Sequence, residues 1–151
     1  IHVHLQDGRI IEVNNEVRLP RNYGRFTGLF EQLLLEGSVP PKGTPLLRVT
    51  DHNLDDLLLQ IGSGSSNGTE VLMVEDGQPT SFLDLQSLFL KQIQTPLIVG
   101  VGAFPHEEFS DKVSSLFETR LRLDSDVMMA WHVCAEVVWA YSSAQERVQT
   151  A

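Results

Sequence analysis

Three closely spaced arginines, Arg18, Arg21 and Arg25, stand in the run Arg18-Leu19-Pro20-Arg21-Asn22-Tyr23-Gly24-Arg25-Phe26, ahead of an apolar helical pattern that ends at Gly37. A guanidinium is planar, permanently charged and able to donate in pairs, so a fork of such groups suits phosphate oxygens. Pro20 punctuates the first gap, and Arg21 and Arg25 are one helical turn apart if one helix holds both. A helix N-terminus adds free N–H groups that favour anions. Spacing alone leaves two readings open. One is a surface for the phosphates of a folded nucleic acid. The other is a solvated basic helix end neutralised by nearby carboxylates.

A second candidate is Gly100-Val101-Gly102-Ala103-Phe104-Pro105-His106, which follows the apolar run Leu97–Val101. Closely spaced glycines at a strand end let backbone approach a ligand or another segment, and open α/β sheets bind ligands beyond the carboxyl ends of their strands. A tight strand-to-helix turn explains the same glycines. The run Gly62-Ser63-Gly64-Ser65-Ser66-Asn67-Gly68 lacks the lysine of a phosphate-binding loop and the spacing of a dinucleotide fingerprint, so it reads as a linker. His2 and His4 alternate on one strand face, but no further His/Cys cluster joins them, and no metal is expected. His106 and His132 have no evident catalytic partner, no Gly-x-Ser-x-Gly elbow occurs, and the catalytic residue is left unassigned.

The elements that must position these residues read as alternating strands and helices. Ile1–Leu5 and Ile10–Val13 flank an Asp7-Gly8 turn. Residues 22–36 predict a helix with Phe26, Phe30, Leu33 and Leu34 on one face and Gly37 just past its end. Leu46–Val49 predicts a short strand, Asn53–Gln60 a short helix and Ser63–Asn67 a polar link. Val71–Val74 predicts a strand closed by a turn at Glu75-Asp76-Gly77-Gln78. Ser81 with Asp84 forms a capping box for a helix through Leu90. Leu97–Val101 has the β-branched composition of a strand buried on both faces. A helix over Glu107–Phe117, a short segment at Leu121–Leu123 and a long helix from Val127 to Val148 follow, the last with Met128, Trp131, Ala135 and Val138 inward. The pattern implies an α/β fold, a mostly parallel sheet with helices on both faces.

The 151 residues are enough for one domain with a real core. No stretch approaches a transmembrane span and no signal peptide is visible, so no membrane association is expected. The one cysteine, Cys134, fits a reducing compartment and predicts a buried small hydrophobe. The formal charge of −9 opposes nucleic acid, but it is unevenly spread. Residues 1–50 hold six Lys/Arg against five Asp/Glu, and residues 51–151 hold five against fifteen. Ile1 opens inside a predicted strand, so an upstream segment is expected.

The run Arg18–Phe26 with Thr27-Gly28-Leu29-Phe30-Glu31-Gln32-Leu33-Leu34 resembles the rRNA small-subunit pseudouridine N1-methyltransferases of ribosome biogenesis. Their hallmark is Arg-x-Pro-Arg-x-x-x-Arg-Phe leading into Gly-Leu-x-x-Gln-Leu-Leu, matched here throughout. Val39-Pro40-Pro41-Lys42-Gly43, Leu46-Leu47-Arg48-Val49, Val101-Gly102-Ala103-Phe104-Pro105-His106 and Met129-Ala130-Trp131 resemble the archaeal branch. The resemblance implies a single SPOUT-type domain over residues 1–151 with a C-terminal trefoil knot, a homodimer, and S-adenosylmethionine as cofactor. By position it assigns the cofactor loops to Ser81, to Gly102 and Glu107, and to Leu123, Asp124, Ser125, Asp126, Val127 and Met128; Glu107 stands where the family usually has glycine. Arg18, Arg21 and Arg25 take the RNA-contacting positions, with small-subunit rRNA as substrate. A first strand and helix carrying an Arg-Pro-Asp motif are expected upstream of Ile1. The implied location is the archaeal cytoplasm, or the nucleolus for a eukaryotic chain. The alternatives are a non-catalytic RNA-binding assembly factor and a small-molecule-binding α/β protein.

Overall fold

The computed structural model describes residues 1–62, 69–91, 96–104 and 108–149. They fall into two compact units, Ile1–Leu57 and Leu58–Ala151.

In the first unit, β1 (His2–His4) and β2 (Ile10–Val13) form the expected hairpin. Gly8 takes φ +90° in its turn, a conformation open to glycine, and Asp7 accepts from the Arg9 N–H at 3.0 Å. The helix α1 (Tyr23–Glu36) starts and stops on local signals. The Asn22 side chain accepts from the Arg25 N–H at 3.1 Å, and Gly37 closes the helix at φ +76° by donating its N–H to the Leu33 carbonyl. β3 (Ser38–Val39), too short to be read from sequence, and β4 (Leu47–Thr50) complete an antiparallel sheet in the order β1-β2-β4-β3. Ile11, Leu33 and Leu47 form its core, with Leu29, Phe30 and Val49 packed around them. Each such buried side chain stabilises the unit by roughly 1.5–3 kcal/mol before entropy is counted. Leu34 is partly exposed, so Leu29 rather than Leu34 completes the inward face. The helix α2 (Leu54–Gly62) begins at Asn53, whose side chain accepts from the Asp56 N–H at 2.9 Å.

The second unit holds a parallel sheet in the order β6-β5-β7, made of β5 (Thr69–Pro79), β6 (Leu97–Val101) and β7 (Thr119–Arg122). Between β5 and β6 lies α3 (Phe82–Lys91); between β6 and β7 lies the single turn α4 (Asp111–Ser114); α5 (Ala130–Gln149) ends the described chain. Leu88 of α3 and Val133 of α5 pack on the sheet face that carries Val71, Met73 and Leu121. Phe117 lies over Leu72 and Gly100, residues that alternate with those just named and so face the other way.

Several expectations need correction. The mostly parallel sheet holds only for the second unit, because the first is built from hairpin-type antiparallel pairs. The turn at Glu75-Asp76-Gly77-Gln78 lies inside β5 as a bulge: Met73 and Gln78 both pair with Leu121. Gly77 makes this possible, since a Cβ there would sit 2.5 Å from the Leu121 carbonyl carbon. β6 is an edge strand, half-buried throughout rather than covered on both faces. Within Glu107–Phe117 the described helix is only α4, capped by Ser110, after which the Leu116 and Phe117 N–H groups bond three residues back and tighten the chain. The long helix turns a different face inward. Ala140 and Ala144 are buried and Val133 and Val137 half-buried, whereas Ala135 is exposed and Trp131 and Val138 are 69% and 62% exposed. Small alanines let α5 lie close to α3, and the bulky residues go outward. Cys134 is exposed with them, not buried. The link Ser63–Asn67 lies outside the described residues.

Candidate nucleic-acid and cofactor sites

The first unit sorts its arginines into two groups. Arg9 pairs with Asp7 and Arg48 with Glu12, each at 2.6 Å. The Arg48 guanidinium holds the Glu12 carboxyl below its usual value. Arg18, Arg21 and Arg25 are all exposed and form no ion pair among the described residues. Among the described residues no carboxylate neutralises this basic helix end within ion-pair distance. Arg21 precedes the helix, because Asn22 is its cap; only Arg25 lies within it. The cap fixes Arg25 through its backbone and leaves its side chain free. Sequence alone did not single out Tyr23, which differs from Phe26 and Phe30 only in falling outside the inward stripe. It is 81% exposed, while those two phenylalanines pair at 4.6 Å between ring centroids.

The second unit brings its candidates to one edge. Val101 lies opposite Met73, and Leu121 lies opposite both Met73 and Gln78. The strands are parallel, so Gly102, Thr80-Ser81 and Leu123 all leave the sheet at its carboxyl edge. The Thr80 N–H donates to the Arg122 carbonyl at 2.9 Å and holds two of these exits together. Ser81 forms its capping box: its hydroxyl and N–H donate to Asp84 at 2.7 and 3.0 Å, and its oxygen accepts the Asp84 N–H at 3.2 Å. These bonds, the hydroxyl's foremost, hold the Asp84 carboxyl below its usual value. In the third loop, Asp124 accepts from the Asp126 N–H at 3.1 Å and from the Ser125 hydroxyl at 3.2 Å, and the first of these chiefly holds its carboxyl low. Asp126 and Val127 are exposed, and Leu123 and Met128 are half-buried. A Cβ on Gly102 would approach the Phe104 ring to 2.8 Å; that ring stands edge-on to Phe109 at 5.0 Å. Glu107 and His106 lie outside the described residues.

The chemistry of this edge suits a ligand with hydroxyl and ammonium donors and a flat apolar ring. Asp124 and Asp126 are acceptors and Leu123, Val127 and Met128 offer apolar surface, while the side of Gly102 where a Cβ would stand is occupied by the Phe104 and Phe109 rings. Two surface depressions lie elsewhere, one between α3 and α5 at Phe82, Gln86 and Ser143, the other beside the bulge at Asp76, Gln78 and Arg120. Arg120 pairs with Asp76 there at 2.7 Å. Among the described residues no cluster of three or more His, Cys, Asp or Glu is placed to hold a metal, and no helix is long and apolar enough to cross a membrane.

The model of the EMG1/NEP1 methyltransferase family matches residues 1–142, across both units. The chain belongs to that family. It is 33% identical to the ribosomal RNA small subunit methyltransferase Nep1 of Staphylothermus marinus over 139 residues, covering 91% of this chain and 57% of that protein. It is 35% identical to its namesake from Thermococcus kodakarensis over 147 residues, covering 95% and 61%. The crystal structure of Archaeoglobus fulgidus Nep1 bound to S-adenosylhomocysteine matches with a TM-score of 0.79 at 28% identity, over 96% of this chain and 62% of that one. The chain thus spans about three fifths of the length of these EMG1/NEP1 relatives.

Proposed function

We propose that this chain is the larger part of an S-adenosylmethionine-dependent methyltransferase that modifies N1 of a pseudouridine in small-subunit rRNA. One observation supports the reading: three parallel strands lead at one edge into Ser81, Gly102 and Leu123, the last opening the segment Leu123–Met128, and the first unit exposes three arginines that form no ion pair among the described residues. The names of the relatives, and the S-adenosylhomocysteine bound to one of them, support it.

In this reading S-adenosylmethionine, when bound, supplies an electrophilic methyl group, so the protein's task is mostly positioning. Backbone at Gly102 and Ser81 shapes the edge, with Glu107 as the further family position. Asp124 and Asp126 accept hydrogen bonds, and Leu123, Val127 and Met128 exclude water from the flat part of the ligand. Arg18, Arg21 and Arg25 hold phosphates of the rRNA, which offsets repulsion from the acidic second unit. The family resemblance supports one SPOUT-type domain over residues 1–151 with a trefoil knot, an arrangement rare among folds. A homodimer completes the proposal. Its support is the outward face of α5, where Trp131, Val138 and Trp139 are mostly exposed. The archaeal origin of the relatives supports a cytoplasmic setting.

Calorimetric titration with S-adenosylmethionine and S-adenosylhomocysteine, followed by methyl transfer to a pseudouridine-containing small-subunit rRNA hairpin, tests the reading. Both ligands are expected to bind, and the hairpin to gain one methyl group at N1. RNA binding without cofactor binding points instead to a non-catalytic assembly factor. Cofactor binding without RNA binding points to a small-molecule-binding protein.

A further inference from the structure

We propose that Tyr23 is the platform on which one unpaired base of the RNA stacks, a role that rests on the RNA-binding reading above. Tyrosine is commonly half-buried in folded proteins, yet Tyr23 is 81% exposed at the first position of α1. Among the described residues it makes no ring contact and no side-chain hydrogen bond. The core of the first unit draws on Phe30, Leu29 and Leu33 from this helix, and Phe26 pairs with Phe30. Folding therefore leaves the Tyr23 ring unused.

Its neighbours favour a nucleic acid as the occupant. Arg21 precedes it and Arg25 follows it, both exposed and unpaired. At 100° per residue, Tyr23 and Arg25 leave the helix about 160° apart. A strand crossing the helix would meet a cation on one flank and an aromatic face on the other. The solvent side between them carries Gly24 and Gly28. Neither has a positive φ, and an added Cβ would meet only the Asn22 side-chain oxygen at 3.4 Å or nothing within 4 Å. Glycine is unfavourable inside a helix, so nothing in the packing of this unit requires it there, and its effect is to keep backbone open to close approach. Phosphates on arginine with splayed bases on aromatic rings is the usual way single-stranded RNA is held. The arginines alone cannot tell paired from unpaired RNA; a stacking ring can.

The test measures binding of the whole chain to a small-subunit rRNA hairpin with an unpaired loop and to a fully paired RNA duplex of equal length, each over several salt concentrations. Tyr23→Ala is expected to weaken hairpin binding roughly five- to hundredfold, the range for losing one stacked base. Duplex binding and the salt dependence stay as in the parent, because no charge is removed. Tyr23→Phe keeps the ring face and is expected to bind like the parent. If Tyr23→Ala binds the hairpin normally while Arg25→Ala weakens it, the stacking role fails, RNA binding stands, and the exposed ring serves another partner. If Tyr23→Ala weakens hairpin and duplex alike, or Tyr23→Phe does not restore binding, stacking is also overturned. If the parent binds neither RNA, the RNA-binding reading itself falls and this role with it.

Discussion

Arg18, Arg21 and Arg25 reach solvent with no ion pair among the described residues, whereas Ser81 and Asp124, at the carboxyl edge of the parallel sheet, are already bonded within their own loops. The first region offers side chains, long and charged, on a scaffold settled by a helix cap and a small antiparallel sheet. The second offers mostly backbone, brought to one edge by three strand ends, with glycines where neighbouring atoms approach too closely for a side chain. The two should therefore fail in opposite ways. Deleting side-chain atoms should disable the arginine surface, and adding atoms should disable the strand-end edge.

The largest effect is expected where addition meets backbone. In Gly77→Val, the new Cβ would stand 2.5 Å from the Leu121 carbonyl carbon and 2.8 Å from its Cα. No side-chain rotation relieves a clash with backbone, so β5 and β7 must part. A loss of roughly 3 kcal/mol or more is expected, at the upper end of overpacking effects. Urea denaturation followed by circular dichroism measures it. A parent-like midpoint would mean that the bulge has room to spare and that the edge does not depend on this close approach.

Next comes deletion at the arginine surface. Arg25→Ala should remove a charge-assisted contact worth about 1.5–3 kcal/mol of RNA affinity. The salt slope of binding should shrink by about 0.7–0.9 if the contact is to one phosphate. Folding stability and cofactor affinity should not change, since the guanidinium has no ion-pair partner among the described residues. The same measurement on Arg9→Ala is the control, because Arg9 is engaged by Asp7. Equal losses for both variants would erase the distinction between free and paired arginines.

A smaller effect is expected at Gly102. The Cβ of Gly102→Val would meet the tip of the Phe104 ring, a side chain that can shift, rather than backbone. We expect cofactor affinity to fall by about 1–2 kcal/mol, with the protein still folded. Titration calorimetry on the variant reads this directly, and unchanged affinity removes Gly102 from the cofactor edge.

These contrasts also explain what the sequence made legible. The hairpin at Asp7-Gly8, the Asn22 and Gly37 caps and the Ser81–Asp84 box were all readable, because each is fixed by residues within a few positions of one another. The role of Gly77 is not legible locally, because its requirement comes from Leu121, more than forty positions away. α5 was misread because its pattern is apolar on more than one face. The inward face carries Val133, Val137, Ala140 and Ala144, while Trp131, Val138 and Trp139 face out, a division that apolar character alone does not show. The arginine positions were legible from the motif, but their freedom from carboxylates was not, since Arg9 and Arg48 look equally available in sequence and are engaged in the fold.

The smallest effect tests whether Ser81 belongs wholly to the backbone-built edge. Its hydroxyl is spent on Asp84, so Ser81→Ala should cost about 1 kcal/mol of stability, as loss of a serine N-cap usually does. Cofactor affinity should stay at the parent value if, as proposed, Ser81 serves the cofactor edge through its backbone alone. The stability difference should also depend on pH in a definite direction. Hydrogen bonds from Ser81 hold the Asp84 carboxyl below its ordinary 3.8, so the folded protein keeps this group ionised to lower pH than the unfolded chain does. The stabilisation is present in full above that ordinary value and is lost as pH falls through the lower folded one. Thermal melts of parent and variant should therefore stay separated by a constant gap from pH 7 down to about 4 and narrow below it, to the part that the Ser81 oxygen contributes by accepting the Asp84 N–H. A gap that does not narrow in strong acid would mean that the hydroxyl acts on the helix only through the Asp84 N–H and not through the carboxylate. A variant that loses cofactor affinity while keeping its stability would move Ser81 from the backbone-built edge to the class of side-chain contacts that the arginines represent.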